Sequence, residues 1–174
     1  FFEKIGMKKK MEYDPASGKP FLHPGRQADM VYEGTVVGYL GEVHPLVADN
    51  YGIGERAYIA MIDIKSVLEF ANFDRKFTGI AKYPAVTRDI SMLVPKQVLA
   101  GQIEDILAQR GGKILESYQL FDIYEGSQIK GGYKSMAYAL VFRDHDKTLE
   151  ESEISAAMKK ILNGLEGLGI ELRS

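Results

Sequence analysis

The stretch KSMAYALVFRDHDKTLEESEISAAMKKILNGLEGLGIEL, residues 134–172, decides the fold of the second half of the chain. Its first nine residues alternate large apolar side chains with small or polar ones, which is the period of a strand with one buried face. The large set is Met136, Tyr138, Leu140 and Phe142. Farther along, apolar residues recur three and four positions apart, which predicts an amphipathic helix on the same core. They are Ile154, Ala157, Met158, Ile161, Leu162 and Leu165.

The ends of this helix are also predicted. Thr148 is followed three residues later by Glu151, which is the pattern of a capping box, and we therefore expect Thr148 to cap the helix. Gly164, Gly167 and Gly169 are expected to break it, since glycine is unfavourable inside a helix. Residues 170–172 then form a short final strand.

The sequence before residue 134 supplies the remaining elements of this domain. Residues 86–94 predict a strand that ends at Pro95, with Ile90, Met92 and Val94 facing the core. Residues 97–110 have helical spacing, carried by Leu99, Ile103, Ile106 and Leu107, and Gly111-Gly112 ends that helix. Residues 114–124 predict a second strand. The order β-α-β-β-α-β, with right-handed crossovers, gives a ferredoxin-like sandwich: an antiparallel four-stranded sheet with two helices on one face.

The first half of the chain predicts part of another sheet. Residues 35–43, TVVGYLGEV, form a strand whose glycines indicate close backbone contacts, residues 58–64 form a second strand, and residues 65–70 form one or two helical turns. Residues 72–82 lose periodicity and carry turn residues, so a boundary lies there. We expect an α+β protein with two domains, residues 1–78 and 79–174.

Composition limits the possible functions. The net charge of −2 provides no bulk positive field for long duplexes, so any RNA binding must rely on a local cluster. The absence of cysteine excludes disulfides and thiolate metal sites and fits a reducing compartment, for which we expect the cytoplasm. No apolar run approaches the roughly 18 residues of a membrane-spanning helix.

The sheet face opposite the helices is the candidate site. Small and polar side chains there would let a planar base approach the backbone. Arg88, Lys134 and Arg143 are candidates for phosphate or base contacts, although the side on which Arg88 lies depends on the local pleat. In the predicted strands, Asp89 and Ser91 and likewise Ser135 and Ala137 lie on the side opposite the core residues. The alternative, which the pattern alone favours, is that this face packs on a neighbouring domain.

Other motifs favour structural roles. His145, between Asp144 and Asp146, is typical of a turn rather than a metal site, because adjacent side chains point apart. The His23-Pro24 and His44-Pro45 pairs are predicted to be hydrogen-bonded corners. Three aromatic residues, Tyr118, Phe121 and Tyr124, could stack on bases but are more often core in a strand. We predict no catalytic and no metal-binding residue.

Several segments resemble the bacterial phenylalanine–tRNA ligase beta subunit. The segments FLHPGRQA (21–28) and VGYLGEVHP (37–45) resemble its catalytic-like module. The segments YPAVTRDIS (83–91), LFDIY (120–124) and KSMAY (134–138) resemble its C-terminal, ferredoxin-like anticodon-binding domain. The likeness covers nearly the whole chain, with its segments in the family's order.

The resemblance implies an α₂β₂ ligase in which the alpha subunit holds the active site for ATP, magnesium and phenylalanine. The first domain would be an inactive, class II synthetase-like antiparallel sheet that serves as an interface. The second would bind the anticodon stem-loop of tRNA(Phe), and the resemblance implies RNA contacts at Arg88, Asp89, Ser91, Lys134, Ser135, Ala137 and Arg143. We therefore expect the chain to bind no cofactor and no membrane, and not to be catalytic alone.

Two other functions stay open. One is a structural module whose uncovered sheet face docks on a partner protein. The other is a regulatory ferredoxin-like domain that binds an amino acid between paired domains. The turn at residues 94–97 lacks the glycine-rich loop that would support the second alternative.

Overall fold

The computed structural model describes residues 1–74, 76–77 and 79–173. The chain divides into two compact units, Phe1–Thr78, here called unit 1, and Gly79–Ser174, called unit 2. The division falls within the stretch where the sequence loses its periodicity. Arg75 and Thr78, which belong to that stretch, lie outside the described residues.

Unit 1 is a four-stranded antiparallel sheet in the order β1-β2-β3-β4. Its strands are β1 (Glu12–Asp14), β2 (Leu22–Tyr32), β3 (Thr35–Val43) and β4 (Tyr58–Ile62), and its helices are a 3-10 turn (Phe2–Ile5), α1 (Pro45–Asn50) and α2 (Ile64–Phe70). A small core of five buried residues packs on it: Met7, Met30, Tyr32, Val37 and Val67.

Two glycines of β3 explain why that strand tolerates close neighbours. A side chain at Gly38 would collide with the backbone carbonyl of Met61 in β4, and one at Gly41 would meet the backbone of Arg26 in β2. The sequence prediction of tight backbone contacts in this strand is thus confirmed. The next strand ends earlier than expected, at Ile62, because the Asp63 carboxylate accepts the Lys65 amide at 3.0 Å and caps α2.

Unit 2 is the predicted sandwich. Its elements are β5 (Val86–Pro95), α3 (Ala100–Arg110), a 3-10 turn (Gly112–Ile114), β6 (Leu115–Tyr124), β7 (Tyr133–Phe142), α4 (Glu151–Glu166) and β8 (Glu171–Leu172). The strands are antiparallel in the order β6-β7-β5-β8. The β-α-β-β-α-β order and the α+β class are confirmed.

One large core holds unit 2 together. Alternate residues of β7 are fully buried against residues of β5 and of both helices. The buried set is Ile90, Met92, Val94, Ile103, Leu107, Met136, Tyr138, Leu140, Phe142, Ile154, Ile161 and Leu165. The Tyr138 hydroxyl is buried with no hydrogen-bond partner among the described residues, and burial raises the pKa of that phenol.

The prediction for the start of the second helix was wrong. Helix α4 begins at Glu151 with Glu150 as its N-cap, so Thr148 lies outside it. Leu149, which lies between Thr148 and the N-cap, is buried in the core. The Glu153 carboxylate instead accepts a hydrogen bond from the Glu150 amide at 3.1 Å. The amides at the start of a helix have no partner within the helix, and this contact supplies one for Glu150.

Gly164 does not break the helix as predicted, because α4 continues to Glu166. A Cβ at Gly164 would lie 2.8 Å from Cγ2 of Ile106 on α3. The glycine therefore lets the two helices pack closely. The first helix also differs in one detail: Leu99 is its N-cap and is 64% exposed rather than part of the apolar stripe.

Within the described part of the chain, no helix combines the length and apolar character needed to cross a membrane.

Candidate nucleic-acid interface

The face of the unit 2 sheet opposite α3 and α4 is called the open face here. Alternate β7 residues are buried in the helix-covered core, so the intervening β7 residues and their cross-strand neighbours lie on the other side of the pleat. From β5 and β6 the pairing register adds the residues opposite them. The open face comprises Thr87, Asp89, Ser91 and Leu93 on β5, Ser135, Ala137, Ala139 and Val141 on β7, Ser117, Gln119, Asp122 and Tyr124 on β6, and Glu171 on β8.

The residues at the centre of the open face are buried and do not form an accessible contact surface. Ser135 and Ala137 are only 5% and 6% exposed. They belong to the inner strand β7, which has a paired strand on each side. Asp89 and Ser91 on β5 are exposed, as are Gln119 and Asp122 on β6. The accessible polar groups therefore stand on the flanking strands, and this corrects the expectation that a base could rest on Ser135 and Ala137.

Arg88 lies on the helix-covered side of the sheet. It has the same parity in β5 as Ile90, which is buried in the core. Its Nη2 donates to Oε2 of Glu151, in the first turn of α4, at 2.6 Å. The side of Arg88, which the sequence pattern leaves open, is therefore the helix side, and Arg88 does not share a surface with Asp89 because adjacent strand residues point to opposite faces.

Lys134 and Arg143 are also committed to contacts within unit 2. Lys134 shares its parity with Met136, and its Nζ donates to the carbonyl of Val98 at 3.0 Å. Arg143 follows the end of β7, where Nε donates to both carboxylate oxygens of Glu116 at 3.0 and 3.1 Å. Its Nη1 donates to the Tyr83 carbonyl at 2.8 Å. The contacts to Val98 and Tyr83 connect the loops before α3 and before β5 to the sheet.

The sequence interpretation missed Arg173. Its backbone amide donates to the Ser91 carbonyl at 2.8 Å, which extends the pairing of β8 with β5 by one residue. Its Nη1 donates to the Ser135 hydroxyl at 3.3 Å, so the guanidinium lies over the open face. The available signal was alternation in the last strand, which places Arg173 on the same side as Glu171, but the predicted strand stopped at Leu172.

The exposed aromatic residues are at one edge of the sheet. Tyr124, opposite Ser135 on the open face, is 42% exposed. Phe121 is 56% exposed, at a register shift between Leu120 and Asp122. Tyr118 packs against the core. Of the three aromatics considered for stacking, only Tyr124 has both the exposure and the register for the open face.

In unit 1 the two histidines act as local hydrogen-bond acceptors. His44 is the N-cap of α1, and its Nδ1 accepts the Leu46 amide at 3.3 Å. His23 accepts the Gly25 amide at 3.1 Å through Nδ1. His23 lies inside β2, at a register break between Leu22 and Gln27, rather than in a separate turn.

A cavity of about 320 Å³ in unit 1 adjoins His23 and a buried carboxylate, Glu42. Arg26 donates to both Glu42 oxygens at 3.0 and 2.9 Å, and Arg56 lies 4.0 Å away. Burial opposes ionisation of Glu42, but the two arginines and Tyr58 outweigh it and lower its pKa. The described residues contain no cluster of metal-binding side chains. The arrangement is a partly buried ion pair that joins β2 to β3.

Two family models match the chain. Residues 81–173 match the model described as the ferredoxin-fold anticodon binding domain. Residues 1–64 match the model described as the phenylalanyl tRNA synthetase beta chain CLM domain. The first match lies in unit 2 and the second in unit 1.

Curated relatives agree with both matches. The phenylalanine–tRNA ligase beta subunits of Clostridium acetobutylicum and Clostridium tetani are 45% and 43% identical over 165 residues, which covers 94% of this chain and 21% of each relative. The subunit of Lactiplantibacillus plantarum is 33% identical over 174 residues, covering 99% and 22%. The chain thus spans about a fifth of the length of these relatives.

Among solved structures, Arabidopsis thaliana MSL1 A320V aligns at 11% identity with a TM-score of 0.35, covering 97% of this chain and 55% of that one, a likeness too weak to define a fold. Of the two family models, one matches most of unit 2 and the other matches most of unit 1. The chain therefore belongs to the ferredoxin-fold anticodon binding domain family, and its similarity to bacterial phenylalanine–tRNA ligase beta subunits runs through both of its compact units.

Proposed function

We propose that unit 2 binds the anticodon stem and loop of tRNA(Phe) through the open face, as part of a phenylalanine–tRNA ligase beta subunit. The observation that carries this proposal is a sheet face without a covering helix, in a unit that matches an anticodon-binding family. Sequence-specific RNA recognition typically uses unpaired loop bases, whose edges and flat faces can both be contacted.

The exposed groups of the open face suit that task. The Asp89 and Asp122 carboxylates can accept hydrogen bonds from amino groups of bases, and the Ser91 hydroxyl and Gln119 amide can both donate and accept. Tyr124 at the edge offers a ring for stacking, which is worth about 1–3 kcal/mol per base in single-strand binding. The small, buried side chains of Ser135 and Ala137 lie between these groups and do not project from the sheet.

The charge of the chain bears on how strong this binding is. With a net charge of −2, the chain lacks the field that supplies most of the affinity of strongly basic RNA-binding proteins. The two open-face aspartates add local repulsion for phosphates. We therefore expect weak binding by this chain alone, with most of the affinity of a complete ligase coming from contacts elsewhere on the tRNA.

For the complete enzyme we propose an α₂β₂ assembly in the cytoplasm, in which the alpha subunit uses ATP and magnesium to aminoacylate tRNA. Unit 1 would serve as an inactive, catalytic-like interface module. The edge strand β4 supports an interface role, since Tyr58, Ile59 and Met61 are exposed although large and apolar. Such apolar exposure is common where another chain docks.

A matched pair of substitutions tests the RNA-binding face. Ala139→Glu places a bulky negative charge on the open face, while Ala156→Glu makes the same change on the exposed surface of α4. We expect the first variant of the 174-residue chain to lose about tenfold or more in affinity for a tRNA(Phe) anticodon stem-loop, measured by fluorescence anisotropy at low salt. The second should bind like the unaltered chain.

Equal binding by both variants would contradict the proposal. If neither the chain nor its variants bound RNA, while Ala139→Glu disrupted binding to the alpha subunit, the open face would instead be a protein-docking surface. Circular dichroism melting of both variants, compared with the unaltered chain, separates loss of binding from loss of folding.

A further inference from the structure

We propose that Arg173 is the phosphate-binding cation of the open face and that Ser135 positions it. This inference rests on the proposed RNA-binding function of unit 2. Arg173 is not among the seven residues that are expected to contact RNA.

The position of Arg173 supports this role. The Arg173 amide donates to the Ser91 carbonyl at 2.8 Å, which fixes the backbone beside β5. The guanidinium reaches across β5 to the Ser135 hydroxyl on β7, at 3.3 Å. Arg173 therefore extends over the open face, between Ser91 and Ser135, while the residue itself remains exposed.

The Arg173 guanidinium also has N–H donors available for a further contact. The hydrogen bond to Ser135 uses one of the five N–H donors of the guanidinium. The nearest acid in sequence, Glu171, is paired with Lys130 at 3.3 Å. Among the described residues, no carboxylate forms an ion pair with Arg173. A guanidinium that contacts one hydroxyl among the described residues has further N–H donors suited to a bidentate contact with a phosphate.

Several other cations of unit 2 near this sheet are already engaged. Arg88 is paired with Glu151 on the helix side, and Arg143 with Glu116. Lys96, beyond the end of β5, is paired with Glu125 at 2.9 Å. The open face carries the exposed carboxylates of Asp89 and Asp122, and the structure places the Arg173 guanidinium over the same face.

Ser135 acquires a different role in this arrangement. It is 5% exposed, too buried to contact RNA directly, and its hydroxyl accepts a hydrogen bond from the guanidinium. We therefore assign it as a positioning residue that orients Arg173 and reduces the freedom the side chain must lose on binding.

The test measures binding of a tRNA(Phe) anticodon stem-loop to the 174-residue chain over a range of salt concentrations. Arg173→Gln should weaken binding about tenfold or more and flatten the slope of log affinity against log salt by about 0.7–0.9, the contribution of one phosphate contact. The control Arg110→Gln removes the same charge from the last turn of α3 and should leave both quantities near those of the unaltered chain.

A double-mutant cycle tests the role of Ser135. Ser135→Ala should weaken binding about threefold when Arg173 is present and have no further effect in the Arg173→Gln background, because the serine acts only through the arginine. Additive effects of the two substitutions would contradict the positioning role.

The outcomes are distinguishable. RNA binding by the unaltered chain that Arg173→Gln leaves unchanged would overturn this inference alone. Weaker binding with an unchanged salt slope would overturn the phosphate assignment. Absence of any RNA binding by the correctly folded, unaltered chain would overturn the proposed function and this inference with it.

Discussion

The two faces of the unit 2 sheet are built from the same three long strands but differ in what their side chains do. On the helix side, large apolar residues such as Tyr138 and Phe142 are fully buried, and Arg88 is paired with Glu151. On the open face most side chains are small or polar, and Asp89 is exposed beside Arg88. Neighbours in sequence thus lie on opposite faces, one at the core and the other on the proposed RNA-binding face, which is a direct result of the two-residue period of a strand.

The largest expected effect compares two adjacent residues of β7. Phe142→Ala removes a fully buried ring from the core and should lower the free energy of unfolding by about 3–5 kcal/mol. Val141→Ala, on the open face and only partly buried, should cost about 1 kcal/mol or less. Urea titrations followed by circular dichroism give both values. Similar losses for the two variants would show that the open face is buried as deeply as the core.

A smaller effect of opposite sign is expected at Tyr138. Its buried hydroxyl has no partner among the described residues, so Tyr138→Phe removes a desolvated polar group without changing the shape of the ring. We expect the free energy of unfolding to rise by about 1 kcal/mol. Leu140→Met, a nearly volume-conserving change next to it in the core, serves as a control for repacking. A loss of stability in Tyr138→Phe would mean that the hydroxyl forms a hydrogen bond in solution.

The sequence predicted the core side of the sheet well and the polar side poorly. Alternation alone placed Met136, Tyr138, Leu140 and Phe142 correctly, because burial of apolar residues at a period of two is a strong local signal. Charged side chains give no such signal. The pattern does not decide the side on which Arg88 lies, and it predicts RNA contacts for Lys134 and Arg143 without showing that each has a partner distant in sequence.

Other errors also came from contacts that local patterns do not encode. Thr148 has the form of a helix cap, but burial of Leu149 in the core moves the start of α4 to Glu151. Gly164 has the form of a helix breaker, but the approach of Ile106 from α3 requires it within the helix. Arg173 was missed because only its pairing with Ser91 shows that the strand continues to that point.

The central claim, that RNA binds the face without helices, is tested most directly by nuclear magnetic resonance of the isotope-labelled chain titrated with a tRNA(Phe) anticodon stem-loop. Backbone and side-chain signals of Asp89, Ser91, Gln119 and Asp122 should shift with increasing RNA, while exposed positions on α4 such as Ala156 and Lys159 should not. Shifts concentrated on α3 and α4, with the four open-face residues unchanged, would contradict the account.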